Sequence, residues 1–109
     1  MNWIINYTAT AKKDLQNIID YISFDLREPD IAKRQVGRIM KQIRLLDNMP
    51  KRFKVYDEEP FKSRGLRYFN VDNFEIFYLV KQETNTVFIV RIIYGGRDVK
   101  KQIGDMPSL

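Results

Sequence analysis

The spacing of the apolar residues changes once along this chain, and that single change limits what it can fold into. Residues 10–48 repeat at the helical period, and residues 66–94 alternate as strands do. In the first stretch Ala11, Leu15, Ile18, Ile19, Ile22 and Leu26 form one apolar stripe at about 100° per residue. Thr10 is placed to cap its start, and Asp14 falls in the first turn or so, where the helix dipole favours an acid. Arg27-Glu28-Pro29-Asp30 then breaks the helix, because proline lacks an amide hydrogen and clashes with the turn before it. A second stripe runs from Ala32 through Val36, Ile39, Met40 and Ile43 to Leu46 and stops before Met49-Pro50. So short a turn predicts an antiparallel helical hairpin.

Beyond a loop rich in charge and aromatics, from Lys51 to Arg64, three strands are predicted over Leu66–Val71, Phe74–Lys81 and Thr86–Tyr94. Asp72-Asn73 and Glu83-Thr84-Asn85 supply the turns of an antiparallel meander. Trp3 to Tyr7 adds a strand at the start. The order is β-α-α-β-β-β, an α+β domain in which a helical hairpin packs on a small sheet. No linker or repeat divides the 109 residues, so residues 1–103 are read as one domain and residues 104–109 as a tail.

Composition narrows the chemistry. Cysteine and histidine are both absent, which removes disulfides, thiol and imidazole nucleophiles, the usual general base and almost every zinc site. No metal and no cofactor are expected. The start of the chain lacks a basic segment followed by a long apolar run, and no stretch reaches the ~20 apolar residues that span a bilayer, so a cytoplasmic protein is expected. The net charge of +5 lies in the first half. Between Lys33 and Lys54 there are eight basic residues and one acid, Asp47. Such a patch suits an anionic partner, either nucleic acid or an acidic protein segment. Arg34, Arg38 and Lys41 lie opposite the second apolar stripe, with Leu45 among them. They form either a solvated face with one exposed leucine or a partner-binding surface.

On the strands, Arg67, Phe69 and Val71 share a face, as do Glu75, Phe77 and Leu79, and as do Val87, Ile89, Arg91 and Ile93. A register placing Arg67, Glu75 and Arg91 together would set two guanidinium groups near one carboxylate on the concave side, with Arg97 and Tyr94 at the rim. Guanidinium forks match phosphate oxygens, so such a site could grip RNA. Glu75 would then be the base, Arg67, Arg91 and Arg97 the charge stabilisers, and Tyr68 or Tyr94 a proton donor or stacking platform. The plainer alternative is a structural ion-pair network around Glu75, with the aromatic residues in the core.

Three stretches in order carry a resemblance. They are Ala11-Lys12-Lys13-Asp14-Leu15 with Ile18, Tyr21-Ile22, Pro29 and Ala32; Gly65-Leu66-Arg67 to Asn73-Phe74-Glu75-Ile76-Phe77-Tyr78; and Val90-Arg91-Ile92-Ile93-Tyr94-Gly95-Gly96-Arg97-Asp98. From Asn2 to about Ile103 the chain resembles the RelE/ParE toxins of type II toxin–antitoxin systems. The resemblance implies the fold above, a cognate antitoxin whose C-terminal segment wraps the toxin in a hetero-oligomer, and one of two targets. RelE-like members cut messenger RNA in the ribosomal A site, and ParE-like members poison DNA gyrase. The arginine that closes the family's last core strand region matches Arg97. The arginine that RelE-like enzymes carry after the aromatic opening their third strand falls on Glu75, and their lysines on the preceding strand fall approximately on Tyr68 and Asn70. These departures, with the long helical hairpin, favour ParE-like action over RelE-like cleavage. A binding module without toxicity is the third class.

Overall fold

The computed structural model describes residues 2–104. Strand β1 (Ile4–Tyr7) leads into helix α1 (Ala9–Asp20), and a π-helical turn (Tyr21–Asp25) joins α1 to helix α2 (Pro29–Arg44). Strands β2 (Arg67–Val71), β3 (Phe74–Lys81) and β4 (Thr86–Tyr94) follow, and a short helix α3 (Val99–Ile103) comes last. The α+β order read from the sequence holds, with α3 added. Except for Gly104, the proposed tail at residues 104–109 lies outside the described residues.

The sheet order is β1-β4-β3-β2, antiparallel except for the parallel pairing of β1 with β4. The turns use residues that tolerate left-handed backbone: Asp72 (φ 53°) between β2 and β3, and Asn85 (φ 52°) before β4. One face of the sheet holds Phe69, Val71, Ile76, Tyr78, Val87, Ile89 and Ile92, and the hairpin packs on it through Ala11, Leu15, Val36, Ile39, Ile43 and Leu46. On one condition of register, the other face was expected to carry a charged grouping on a concave side. It instead holds Leu66, Phe77, Leu79, Val90 and Ile93, covered by Tyr56 and Phe61 of the long loop and by Val99 and Ile103 of α3. An apolar sheet face of this size needs a cover, and the loop aromatics together with α3 provide it.

Helix α1 starts two residues earlier than expected. Thr8, not Thr10, caps it, accepting from the Ala11 amide at 3.1 Å, because β1 fixes Thr8 against β4. The Thr8 amide donates to the Ile89 carbonyl at 3.0 Å and its hydroxyl to the Val90 carbonyl at 3.1 Å. Strand β1 ends there, which leaves the second half of β4 as a bare edge. A bulge where Phe77 pairs with Arg91 but Tyr78 with Ile89 leaves Val90 without a partner. It breaks the expected alternation: Val87 and Ile89 face the helices, whereas Ile93 faces the other side. Proline at the first position of α2 supplies a pre-set φ where no amide bond is lost.

Candidate functional site

The residues singled out for catalysis do not converge. Arg67 pairs with Tyr78 across β2 and β3, while Glu75 pairs with Asn70, so the two side chains leave opposite faces of the sheet. The conditional grouping of Arg67, Glu75 and Arg91 therefore does not form, because the alternation of one strand cannot reveal the register of its neighbour. The Arg67 guanidinium donates to the carbonyls of Phe53 at 2.6 Å and Lys51 at 3.2 Å and so ties the start of the long loop to β2.

Arg91 is engaged more fully. Its Nε donates to Asp14 Oδ2 at 2.8 Å, its Nη2 to Asp14 Oδ1 at 3.1 Å, and its Nη1 to the Gln102 carbonyl. Asp14 Oδ2 also accepts the Ile92 amide at 2.9 Å. Asp14, taken from the sequence as a helix-dipole residue, is thus a buried acceptor that closes the bare edge of β4. Through Arg91 it also links α1 to α3. The sequence signal was available in principle, since an acid three residues after Ala11 on the buried side of α1 needs a partner.

Glu75 is half-buried on the loop-covered face, and burial pushes its carboxyl above the ordinary carboxylate range. Tyr56 lies close enough to feel its charge, and the Tyr56 hydroxyl is also raised, first by burial and then by Glu58 and Glu75. Tyr68 is stacked on Phe77 with ring centroids 5.8 Å apart, and Lys54 Nζ sits 5.5 Å from its centroid, so the ring is already engaged within the protein. Tyr94 packs edge-on against Phe74, and Arg97 is exposed. The Gly95-Gly96 pair places these two. A Cβ on Gly95 would stand 3.1 Å from the Asn73 carbonyl oxygen, and Gly96 has φ 86°. Among the described residues no cluster of three or more His, Cys, Asp or Glu side chains could hold a metal ion.

The second candidate surface is the outer stripe of α2. Arg34, Arg38, Lys41 and Leu45 are all exposed, as their helical spacing predicts. Arg38 is not a free charge: its Nε meets Asp72 Oδ2 at 2.8 Å, and the Gln35 amide reaches the same oxygen at 3.0 Å. These contacts hold the Asp72 carboxyl below its ordinary range. Beside this stripe a groove of about 380 Å³ runs between α2 and β2, lined by Arg38, Lys41, Gln42, Asn70, Val71 and Asp72. At the C-terminal end of α2 a shallow, larger hollow of about 490 Å³ includes Trp3, Met49, Pro50, Lys51 and Arg52. Basic side chains around apolar footholds suit an acidic amphipathic segment. No helix of the described residues is long and apolar enough to cross a membrane.

A structure of the chromosomal ParDE system of P. aeruginosa superposes with a TM-score of 0.69 at 24% identity, covering 84% of this chain and 95% of that one. The RelBE2 toxin–antitoxin complex of Mycobacterium tuberculosis superposes with a TM-score of 0.64 at 19% identity, covering 89% and 95%. A mutant of the E. coli toxin RelE in the free state gives 0.61 at 11% identity, covering 88% and 86%. No curated protein matches the chain. The family model for the ParE toxin of the type II toxin–antitoxin system parDE matches residues 5–99. The chain belongs to this ParE toxin family; it is a toxin of a type II system, and its partner is a cognate antitoxin.

Proposed function

We propose that this toxin arrests growth in the cytoplasm by binding a protein target, DNA gyrase, in the ParE-like manner, and that it does not cut RNA. The observation that carries the reading is the occupation of Arg67 and Arg91. Cleavage through a 2′-hydroxyl needs a base, a charge stabiliser and an acid within hydrogen-bond reach of one phosphate. Here one guanidinium is spent on loop carbonyls and the other on Asp14, and Glu75 leaves the opposite face from Arg67. The feature that favours the alternative, RelE-like cleavage, is Glu75, whose raised carboxyl beside Tyr56 has the character of a general base.

The antitoxin reading follows from α2. An acidic amphipathic segment would lie along Arg34, Arg38 and Lys41 with apolar anchors on Leu45, forming a toxin–antitoxin hetero-oligomer. Arg34 and Lys41 carry the steering, because Asp72 already offsets Arg38.

The test pairs gyrase supercoiling of plasmid DNA with ribosomes programmed by messenger RNA. Inhibited supercoiling with accumulating DNA breaks and intact RNA is expected. Cleavage of A-site codons with untouched supercoiling would overturn the proposal, and Arg97→Ala should then lower that cleavage about 10²–10³-fold, as loss of a charge-stabilising donor does.

A further inference from the structure

The turn of the helical hairpin is where the apolar pattern of the sequence and the packing of the fold part company. Leu26 continues the stripe of Ala11, Leu15, Ile18 and Ile22, yet the hairpin has run past the sheet by then and Leu26 is 52% exposed. Tyr21 (56%), Phe24 (73%) and Ile31 (43%) are exposed with it. Four large apolar side chains within eleven residues exceed the scattered single exposures of an ordinary surface. The backbone there is also unusual. Tyr21–Asp25 is a π-helical turn, a form concentrated at functional sites, and Arg27 has φ 56° without being glycine.

The charge of this tip is opposite to that of the rest of the protein. Residues 20–31 hold four acids, Asp20, Asp25, Glu28 and Asp30, against Arg27 alone, a net of −3 in a chain of +5. An antitoxin segment matched to the basic stripe of α2 is acidic and is repelled here. A second copy meeting tip to tip would set acids against acids. A surface with basic residues around an apolar centre is complementary in both respects.

We propose that the hairpin tip, Tyr21, Phe24, Leu26 and Ile31 rimmed by Asp20, Asp25, Glu28 and Asp30, is the surface with which this toxin seizes its target protein, through a basic-rimmed apolar patch on that target. The proposal rests on the protein-binding reading above and adds the contact residues. It gives the hairpin two ends of opposite charge, acidic at the turn for the target and basic along α2 for the antitoxin. Ile31 lies one helical turn from Arg34, so an antitoxin bound along the basic stripe stands beside the tip and obstructs a target's approach without contacting the tip itself. Neutralisation is then steric exclusion of the target.

Two double variants test this, Phe24→Ser with Leu26→Ser and Asp25→Lys with Glu28→Lys. Each is measured for growth arrest on induction, for inhibition of the gyrase holoenzyme on plasmid DNA, for antitoxin affinity and for thermal unfolding. Growth arrest and gyrase inhibition should both weaken about tenfold or more, as loss of interface anchors does, while antitoxin affinity stays within about twofold and the unfolding midpoint holds. Full potency in growth arrest would overturn the proposal. Antitoxin affinity falling with potency retained would assign the tip to the antitoxin, and a wild-type dimer made monomeric by the serine variant would assign it to self-association. A wild-type protein that arrests growth without touching gyrase would sink the gyrase reading alone, because the growth arm still decides whether the tip is needed.

Discussion

Two Arg–Asp pairs join the helices of this toxin to its sheet, and both have a closest approach of 2.8 Å. Arg91–Asp14 lies at the edge of β4 with side chains 17% and 11% exposed, and Arg38–Asp72 lies at the mouth of the α2–β2 groove with side chains 52% and 44% exposed. Identical chemistry at one distance thus stands in two dielectrics. Asp14 also accepts the Ile92 amide, and Arg91 also reaches the Gln102 carbonyl, so each charge in the buried pair has further hydrogen bonds. In the exposed pair the further bonds all go to one exposed side chain, Gln35, whose amide nitrogen donates to Asp72 and whose amide oxygen accepts from Arg38 Nη2 at 3.3 Å. Burial and the completeness of the network, not the ion-pair distance, set how much each contact matters.

The largest effect should come from breaking the buried pair. Asp14→Ala strands the Arg91 guanidinium and the Ile92 amide together, and removing one partner of a buried pair costs about 3–5 kcal/mol. Domains of this size are stable by roughly 5–15 kcal/mol, so the variant should lose much of its stability in urea denaturation. Asp14→Asn, which keeps an acceptor for Ile92, should fall between the two. A loss below about 1 kcal/mol for the alanine variant would mean that the pair behaves like a surface one.

This pair also marks how far the sequence was legible. Periodicity located β3 and β4 to the residue and the others within one or a few, because each depends on its own side chains meeting one apolar layer. The candidate catalytic set depended instead on how neighbouring strands align and on where β1 stops. Those are long-range facts: the bulge at Val90 and the short β1 send Arg91 to Asp14, 77 positions away. The cover over the second face was missed for a related reason. Tyr56 and Phe61 sit in a loop without periodicity, and α3 shows only an Asp98 cap with Val99 and Ile103 four apart. The exposed stripe Arg34, Arg38, Lys41 and Leu45 was readable because it lies on one helix.

A third contact lies between the two pairs in expected size. The Tyr78 hydroxyl, fully buried, donates to the Pro50 carbonyl at 2.7 Å. Burial, partly opposed by Arg67, pushes its pKa from 10.0 to about 12. Below pH 10 the hydroxyl is protonated in both folded and unfolded chains. Above it the unfolded chain ionises first, so stability should fall as pH rises from 10 toward about 12. Tyr78→Phe should cost about 1–2 kcal/mol at neutral pH by leaving the Pro50 carbonyl unpaired. It should also flatten the alkaline slope, leaving the part due to Tyr7 and Tyr56, whose hydroxyls are raised as well. An unchanged slope in pH-dependent denaturation would remove Tyr78 as its cause.

The smallest effect belongs to the exposed pair, and it should appear in titration instead of in stability. Water and salt screen Arg38 and Asp72, so Arg38→Ala should leave the denaturation midpoint where it is. The Asp72 carboxyl, however, is held below its ordinary 3.8 first by the hydrogen bond from Arg38 and then by that from Gln35. Its stabilising contribution is therefore complete above pH 3.8 and is lost as the pH falls through the lower folded-state value. In carboxyl NMR titrations the Asp72 midpoint should rise toward 3.8 in Arg38→Ala, and further when Gln35→Ala is added. A midpoint indifferent to both changes would show that the pair does not persist in solution. Arg38 would then be free to meet an acidic partner on equal terms with Arg34 and Lys41, and its charge reversal should slow antitoxin association as much as theirs.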